Sequence, residues 1–138
     1  MPDPCGFDYA IVRLVPRVER EEFINIGVIV HAPARAFMSC ALVFDRARVS
    51  AFAPALTDAE LTELEQHVEA WRAVCAGDPS RGPIAGLSSS ERFHWLVAPR
   101  STSIQTSAVH TGITADPAAA VHRLFQTMVA PLTPILGL

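Results

Sequence analysis

The sequence predicts an α+β fold, with a mostly antiparallel sheet of about four strands and two main helices packed on one face. Three observations support this prediction. Apolar residues alternate with period two in the first third of the chain. They then recur every three or four residues in two later segments, which is the helical period. The links between the predicted strands are short, and short links favour an antiparallel meander.

The predicted strands lie in the first third of the chain. They cover residues 8–15, about 23–31 and about 37–44, and the first stops at Pro16. Within each strand, alternate positions form an apolar row that we expect to face the core. The rows are Ala10, Val12 and Leu14; Ile24, Ile26, Val28 and Val30; and Met38, Cys40, Leu42 and Phe44.

The other face of the second strand contains two residue types that strands disfavour. Asn25 and Gly27 sit two residues apart, so both belong to this face. Such a pair predicts that something approaches the strand closely, either another backbone or a ligand. Arg13 and His31 also lie opposite the aliphatic rows of their strands.

Two segments carry clear helix signals. Thr57 and Glu60 have the spacing of a capping box, which predicts a helix over residues 57–76. Asp116 followed by Pro117 predicts a second helix over residues 116–130. The apolar stripes of these helices should meet the aliphatic rows of the sheet. They contain Leu61, Leu64, Val68, Trp71 and Cys75, and Val121, Leu124, Phe125, Met128 and Val129.

The region between the two helices predicts two smaller elements. Ser88 and Glu91 form a second capping-box pattern, which would open a short helix that Pro99 closes. Residues 101–109 alternate as a polar strand, expected at an edge of the sheet or in a groove. Residues 45–55 show neither period cleanly.

Length and composition indicate a single domain over residues 1–138. No apolar run reaches the roughly 20 residues of a membrane span, and the first residues lack the pattern of a secretory signal. The three cysteines, Cys5, Cys40 and Cys75, are far apart and form no Cys-x-x-Cys pair. We therefore expect buried thiols, a cytoplasmic protein, no metal site and no membrane association.

The chain contains no lysine, because all eleven of its basic residues are arginine. This excludes functions that need a P-loop lysine, a kinase phosphate lysine or a Schiff-base lysine from this chain. The formal net charge is −3, and acidic residues are interleaved with the arginines. Since binding of a phosphate backbone needs concentrated positive charge, we expect no nucleic-acid partner.

The richest polar segment runs from residue 94 to residue 110. It predicts a binding site for an anion or a small polar ligand, with Arg100 as the charge. The predicted members are Asn25, Arg100, Ser101, Ser103 and Gln105. The alternative interpretation is an edge strand kept polar so that it does not aggregate.

An enzymatic alternative uses a histidine with a carboxylate. His94 or His110 could act with Glu22 in a hydrolase- or nuclease-like reaction. No catalytic or nucleotide-binding motif supports this alternative, and the sequence implies no cofactor. An enzyme would need such a pair within hydrogen-bond reach in a cleft, which only a structure can test.

Two segments resemble a known family. They are Tyr9 to Pro16 followed by Glu22-Phe-Ile-Asn-Ile-Gly-Val, and Phe93-His-Trp-Leu-Val-Ala-Pro-Arg-Ser-Thr-Ser-Ile-Gln-Thr-Ser. Together they resemble the bacterial family catalogued as domain of unknown function 3037, over nearly the whole chain. The resemblance implies no settled activity. It implies a role beside a kinase-like partner and recurring positions without assigned roles, at Glu22, Asn25, Gly27, His94, Arg100, Ser101 and Gln105.

These observations favour a small accessory or binding module over a self-sufficient enzyme. The residues after the last helix add an expectation about association. Leu132, Ile135, Leu136 and Leu138 are apolar, and two prolines prevent the helix from continuing through them. We expect this tail either to dock on its own domain or to bury against another chain, as a homodimer or with a protein partner.

Overall fold

The computed structural model describes residues 2–131. They form one five-stranded sheet and four α-helices, joined by loops and short 3-10 helices. The strands are β1 (Cys5–Leu14), β2 (Ile24–Ala32), β3 (Phe37–Leu42), β4 (Ile104–Thr106) and β5 (His110–Thr114). The helices are α1 (Arg46–Phe52), α2 (Asp58–Ala76), α3 (Ser89–Val97) and α4 (Pro117–Met128). The α+β prediction is confirmed.

Every strand pair in the sheet is antiparallel. β1 pairs with β2 along one side, and β2 pairs with β3, as the predicted meander requires. On its other side β1 pairs with β4 near its end and with β5 near its start. The predicted strand over residues 101–109 was therefore too long, since β4 has three residues and β5 was not predicted.

A buried serine joins the two short strands. The Ile11 N–H donates to the Ser107 hydroxyl oxygen at 2.9 Å, and the Ser107 N–H donates to the Ile11 carbonyl at 2.9 Å. These bonds satisfy the backbone of β1 where the ladder passes from β4 to β5. One of the hydroxyls in the polar segment thus has a structural role.

The predicted capping signals are confirmed. The Thr57 hydroxyl accepts from the Glu60 N–H, and the Glu60 carboxylate accepts from the Thr57 N–H, each at 3.1 Å. Ser88 caps α3 by accepting from the Glu91 N–H at 3.2 Å. Asp116 accepts from two N–H groups of the first turn of α4. These bonds satisfy backbone donors that a helix start leaves unpaired.

A β-bulge in β2 changes which residues share a face. Val12 pairs with Gly27 and Arg13 pairs with Asn25, so Ile26 is the extra residue of the longer strand. The bulge places Ile24 and Ile26 in the cluster under α2, whereas Val28 and Val30 belong to the cluster under α4. The predicted single row of these four residues is therefore wrong, although all four are buried.

The two main helices pack on opposite faces of the sheet, so their predicted placement on one face is wrong. Alternate residues of β1 separate into two clusters, with Ala10, Val12 and Leu14 facing α2. Phe7 and Ile11 face α4 instead. Helix α3 joins α2 on its face through Phe93 and Leu96. Both sheet faces are thus covered, at least in part.

The close approach predicted at Gly27 is made by another backbone. A Cβ atom built on Gly27 would lie 2.5 Å from the Ala41 carbonyl oxygen of β3 and would also meet the Leu42 side chain. Glycine is therefore required for β2 and β3 to pair at this distance.

No described helix is long and apolar enough to cross a membrane. The predicted apolar tail, Leu132, Ile135, Leu136 and Leu138, lies outside the described residues.

Candidate functional site

Arg13 lies at the centre of a row of polar side chains that crosses three strands. It pairs with Asn25 of β2 on one side and with Gln105 of β4 on the other. Residues directly opposite one another on neighbouring strands present their side chains on the same face. Because its neighbours Val12 and Leu14 face α2, Arg13 and its two partners lie on the α4 face.

A cavity of about 240 Å³ opens beside this row, and we call it the Arg13 cavity. Ser101 and Gln105 line it together with Arg13, so part of the predicted polar segment meets the predicted strand face. Phe23 forms an apolar wall, and the Arg13 guanidinium lies 4.1 Å from the centre of its ring. Stacking on an aromatic face holds a guanidinium plane in place while leaving its edge N–H groups free to donate.

Two polar atoms of the row are buried without a hydrogen-bond partner among the described residues. They are Nε of Arg13 and Oδ1 of Asn25. A buried charged donor without an acceptor is costly, because the group has lost water and gained nothing in exchange. No ion pair within residues 2–131 includes Arg13. Arg13, which lines the cavity, therefore has a cationic donor without an acceptor among the described residues.

The other polar groups of the Arg13 cavity are partly engaged. Gln105 donates one amide hydrogen to the Thr102 carbonyl at 2.9 Å, which fixes the direction of its side chain. Ser101 is exposed and can rotate its hydroxyl to donate or to accept. Glu21, whose own backbone φ is 57°, also lines the cavity. Its carboxylate would compete with an anion that approaches Arg13.

Asn25 has a structural task beside its place in the row. Its amide donates to the Met128 carbonyl at 3.1 Å, at the last residue of α4. Arg48 donates to the Val129 carbonyl next to it, at 3.2 Å. These bonds satisfy carbonyls that a helix end leaves free, and they attach α4 to the sheet. Asn25 lines a neighbouring cavity with Phe23 rather than the Arg13 cavity itself.

Arg100 and Ser103 lie on the opposite face of the sheet from Arg13. Both line a groove of about 450 Å³ beside α2, which we call the α2 groove. Arg100 donates to the Ala98 and Trp95 carbonyls, and its guanidinium lies 4.4 Å from the centre of the Trp95 ring. The five residues of the predicted site are thus distributed among three cavities rather than gathered in one.

The residues of the enzymatic alternative are not joined. Among the described residues, no hydrogen bond or ion pair connects Glu22 to His94 or His110. Glu22 pairs with Arg20, and this hydrogen bond and charge lower the pKa of the carboxyl, which makes it a weaker base. Nδ1 of His94 lies 2.7 Å from the Ser90 carbonyl oxygen, and the His110 ring is tilted against the Tyr9 ring with ring centres 5.3 Å apart.

His31 and Cys75 are buried, whereas Cys5 and Cys40 are partly exposed, so the prediction of buried thiols holds only for Cys75. His31 is 3 % exposed and stacks on Phe93 with ring centres 4.8 Å apart. Burial lowers the pKa of its imidazole, and nearby His94 lowers it further, while Asp8 opposes both effects. The pKa of the Cys75 thiol is raised by its hydrogen bond with Cys40 and by burial, so Cys75 is a poor nucleophile. Residues 2–131 contain no group of three potential metal ligands.

The comparison with known families agrees with the sequence motifs. Residues 9–129 match the family described as Protein of unknown function (DUF3037). The chain belongs to this family. No curated protein and no solved structure matches the chain.

The segment shared with the DUF3037 family contains the whole Arg13 cavity, from Arg13 and Phe23 to Ser101 and Gln105. The sequence predicts Arg13 on the face opposite the aliphatic row and Arg100 as the charge of the site, whereas the structure places Arg13 in this cavity and Arg100 in the α2 groove. Residues 101–103 are not part of a strand, so their side chains do not alternate with Gln105. The pairing of Arg13 with Gln105 depends on a strand register that the sequence does not specify.

Proposed function

We propose that this DUF3037 protein is a small accessory or binding module that receives an anionic group of a protein partner in the Arg13 cavity. The observation that supports the proposal is that Arg13, which lines that cavity, has a buried Nε without a hydrogen-bond partner among the described residues. A carboxylate or a phosphate oxygen supplies the missing acceptor, and a guanidinium binds such groups through two parallel N–H bonds.

The size of the cavity favours a group on a partner over a free small molecule. Its volume is about 240 Å³. Pockets that enclose whole ligands have volumes of roughly 300–1,000 Å³. The Arg13 cavity therefore fits one side chain or one chain terminus, and the remaining contact area would come from the surrounding surface.

The lining of the cavity also favours binding over catalysis. Its ionisable groups are Arg13 and the single carboxylate of Glu21, with no histidine. General acid–base catalysis needs a titratable group poised near the working pH and usually a second group that orients or complements it. The cavity provides an anion-binding arginine without such a pair.

Affinity purification from the native host tests this proposal. The full chain is compared as bait with an Arg13→Met variant, which keeps an unbranched apolar stem and removes the guanidinium and its charge. We expect the partner to be lost, because removing one member of a buried charge pair at an interface costs about 2–5 kcal/mol. Since Arg13 Nε has no partner in the free protein, the melting temperature should change little.

Two further baits make the comparison specific. Arg123→Met removes an exposed charge from α4 and should retain the partner. Arg100→Ala removes the cation that the sequence first indicated, and it should also retain the partner if Arg13 is the receptor. Equal capture by the Arg13→Met bait and the unmodified chain would refute the proposal. The kinase-like protein implied by the resemblance is the first partner to test directly.

A further inference from the structure

Ser103 and His67 line the α2 groove, and Glu63 lines an adjacent cavity together with the same two residues. The Ser103 hydroxyl lies 3.0 Å from Nδ1 of His67, which is hydrogen-bond distance. Nε2 of the same ring lies 4.0 Å from a carboxylate oxygen of Glu63. His67 and Glu63 are one turn apart on α2, so the helix itself sets their spacing. Neither the binding proposal nor the family assigns a role to these three residues.

From this geometry we infer that Ser103 is an activatable nucleophile and that the α2 groove accepts carboxylic esters with an apolar acyl or aryl group. A serine is a weak nucleophile until a neighbouring base takes its proton. When the hydrogen of the imidazole is on Nε2, Nδ1 is free to accept the Ser103 proton. The Glu63 carboxylate, 4.0 Å from Nε2, then stabilises the positive charge that the ring acquires. Roles of this kind are recognised by geometry and not by position in the chain.

The backbone holds Ser103 in place for this role. Its carbonyl accepts from the Val15 N–H at 2.7 Å, directly after the end of β1. The next residue, Ile104, is buried and begins β4. Ser103 is therefore anchored on both sides, and the contact with His67 joins two rigid elements, the sheet and α2.

The walls of the groove define the class of substrate. Trp71, Val74 and Ile104 provide an apolar surface, and Trp95 adds a flat ring at the mouth. Arg100 lines the same groove, where its charge can stabilise the negative charge that develops on an ester oxygen. The volume of about 450 Å³ is large enough for a small ester.

The reaction has two balanced steps. The Ser103 oxygen forms a bond to the acyl carbon, its proton passes to Nδ1 of His67, and the carbon–oxygen bond to the alcohol breaks as the alcohol takes that proton. Water then attacks the acyl-serine, again giving a proton to His67. That proton returns to Ser103 as the carboxylic acid leaves. Glu63 acts as a positioning residue for the ring, because it contacts His67 and not the reacting atoms.

Labelling with an alkyl fluorophosphonate tests the inference directly. The serine oxygen bonds to phosphorus, fluoride leaves, and the serine proton is taken up by His67. We expect one label per chain, found on Ser103 by peptide mass spectrometry. The label should be absent in Ser103→Ala and formed at least tenfold more slowly in His67→Gln. Ser90→Ala and His122→Gln change exposed residues on α3 and α4 and should label at the original rate.

The folded state and turnover provide the second measurement. Labelling of the unmodified chain should be lost in urea, since it depends on α2 and β4 being in contact. With p-nitrophenyl acetate, Glu63→Gln should lower kcat at unchanged KM, which a purely structural change would not produce. The inference is overturned if the folded chain does not label, labels at another residue, labels equally in urea, or labels equally in His67→Gln. These outcomes are independent of partner capture by Arg13, which lies on the other face.

Discussion

At the scale of single residues, burial decides the chemistry of His31 more than its residue type does. Histidine at the end of a strand would ordinarily titrate in water. Here the ring is 3 % exposed and stacks on Phe93, and its Nδ1 has no partner among the described residues. Burial lowers the pKa of the imidazole below its usual value, so the neutral form is favoured in the fold.

We therefore predict that the protein loses stability as the pH falls through the range in which the His31 imidazole takes up its proton. In the unfolded chain the imidazole binds its proton near pH 6.5, whereas the folded state resists protonation to a lower pH. The contribution to stability is complete above about pH 6.5 and decreases below it. Urea unfolding at pH 7.5 and 5.5 should show this fall in the free energy of unfolding.

The His31→Phe variant removes the titrating group and should flatten this dependence, whereas the exposed control His122→Gln should keep it. Carboxyl groups with lowered pKa values, such as Glu22 and Asp78, contribute their changes at more acidic pH. An unaltered pH dependence in His31→Phe would show that another group is responsible.

At the scale of elements, the sequence predicted most of the helices and strands but not the faces they present. The helix starts at Thr57, Ser88 and Asp116 depend on local capping chemistry, which a sequence records directly. The bulge at Ile26 depends on the partner strand, so no local pattern reveals it. A signal was nevertheless present, because Val28, Ile29 and Val30 form a continuous apolar run within β2, as strands covered on both faces do.

Gly27 provides the test of the pairing between β2 and β3. We predict that Gly27→Ala destabilises the protein by about 2 kcal/mol or more, because its Cβ would meet backbone of β3 that cannot move without opening the ladder. Gly6→Ala is the matched control, since its Cβ would approach no atom closer than 4.0 Å. Thermal unfolding measures both. A Gly27→Ala protein as stable as Gly6→Ala would contradict the pairing.

At the scale of the whole molecule, two apolar clusters on opposite faces of one sheet hold the protein together. Leu61 of α2 belongs to one cluster, and Leu124 of α4 belongs to the other. The sequence predicted the stripe of α2 correctly, and that of α4 except for Met128, which is exposed. It assigned both stripes to one face, because the apparent row along β2 suggested a single covered side. Helix α4 packs mainly on β2 and β3, and no residue of α4 lines the Arg13 cavity.

A double-mutant cycle distinguishes the observed arrangement, with α2 and α4 on opposite faces of the sheet, from the predicted one with both helices on the same face. Leu61→Ala and Leu124→Ala should each cost about 2–5 kcal/mol of unfolding free energy, because both side chains are buried. Since the two residues lie in separate clusters, their effects should add to within about 0.5 kcal/mol. A larger coupling energy would indicate that the two helices share one core.

The most direct test of the account is whether Arg13 binds an anion. The measurement is NMR titration of the ¹⁵N-labelled chain with acetate and with inorganic phosphate, following the Arg13 Nε–H resonance assigned by its loss in Arg13→Met. We predict a saturable shift of Arg13 Nε–H together with the Gln105 amide, and tighter binding in Glu21→Gln, which removes the competing carboxylate. An Arg13 Nε–H resonance that does not respond to either anion would contradict the central claim.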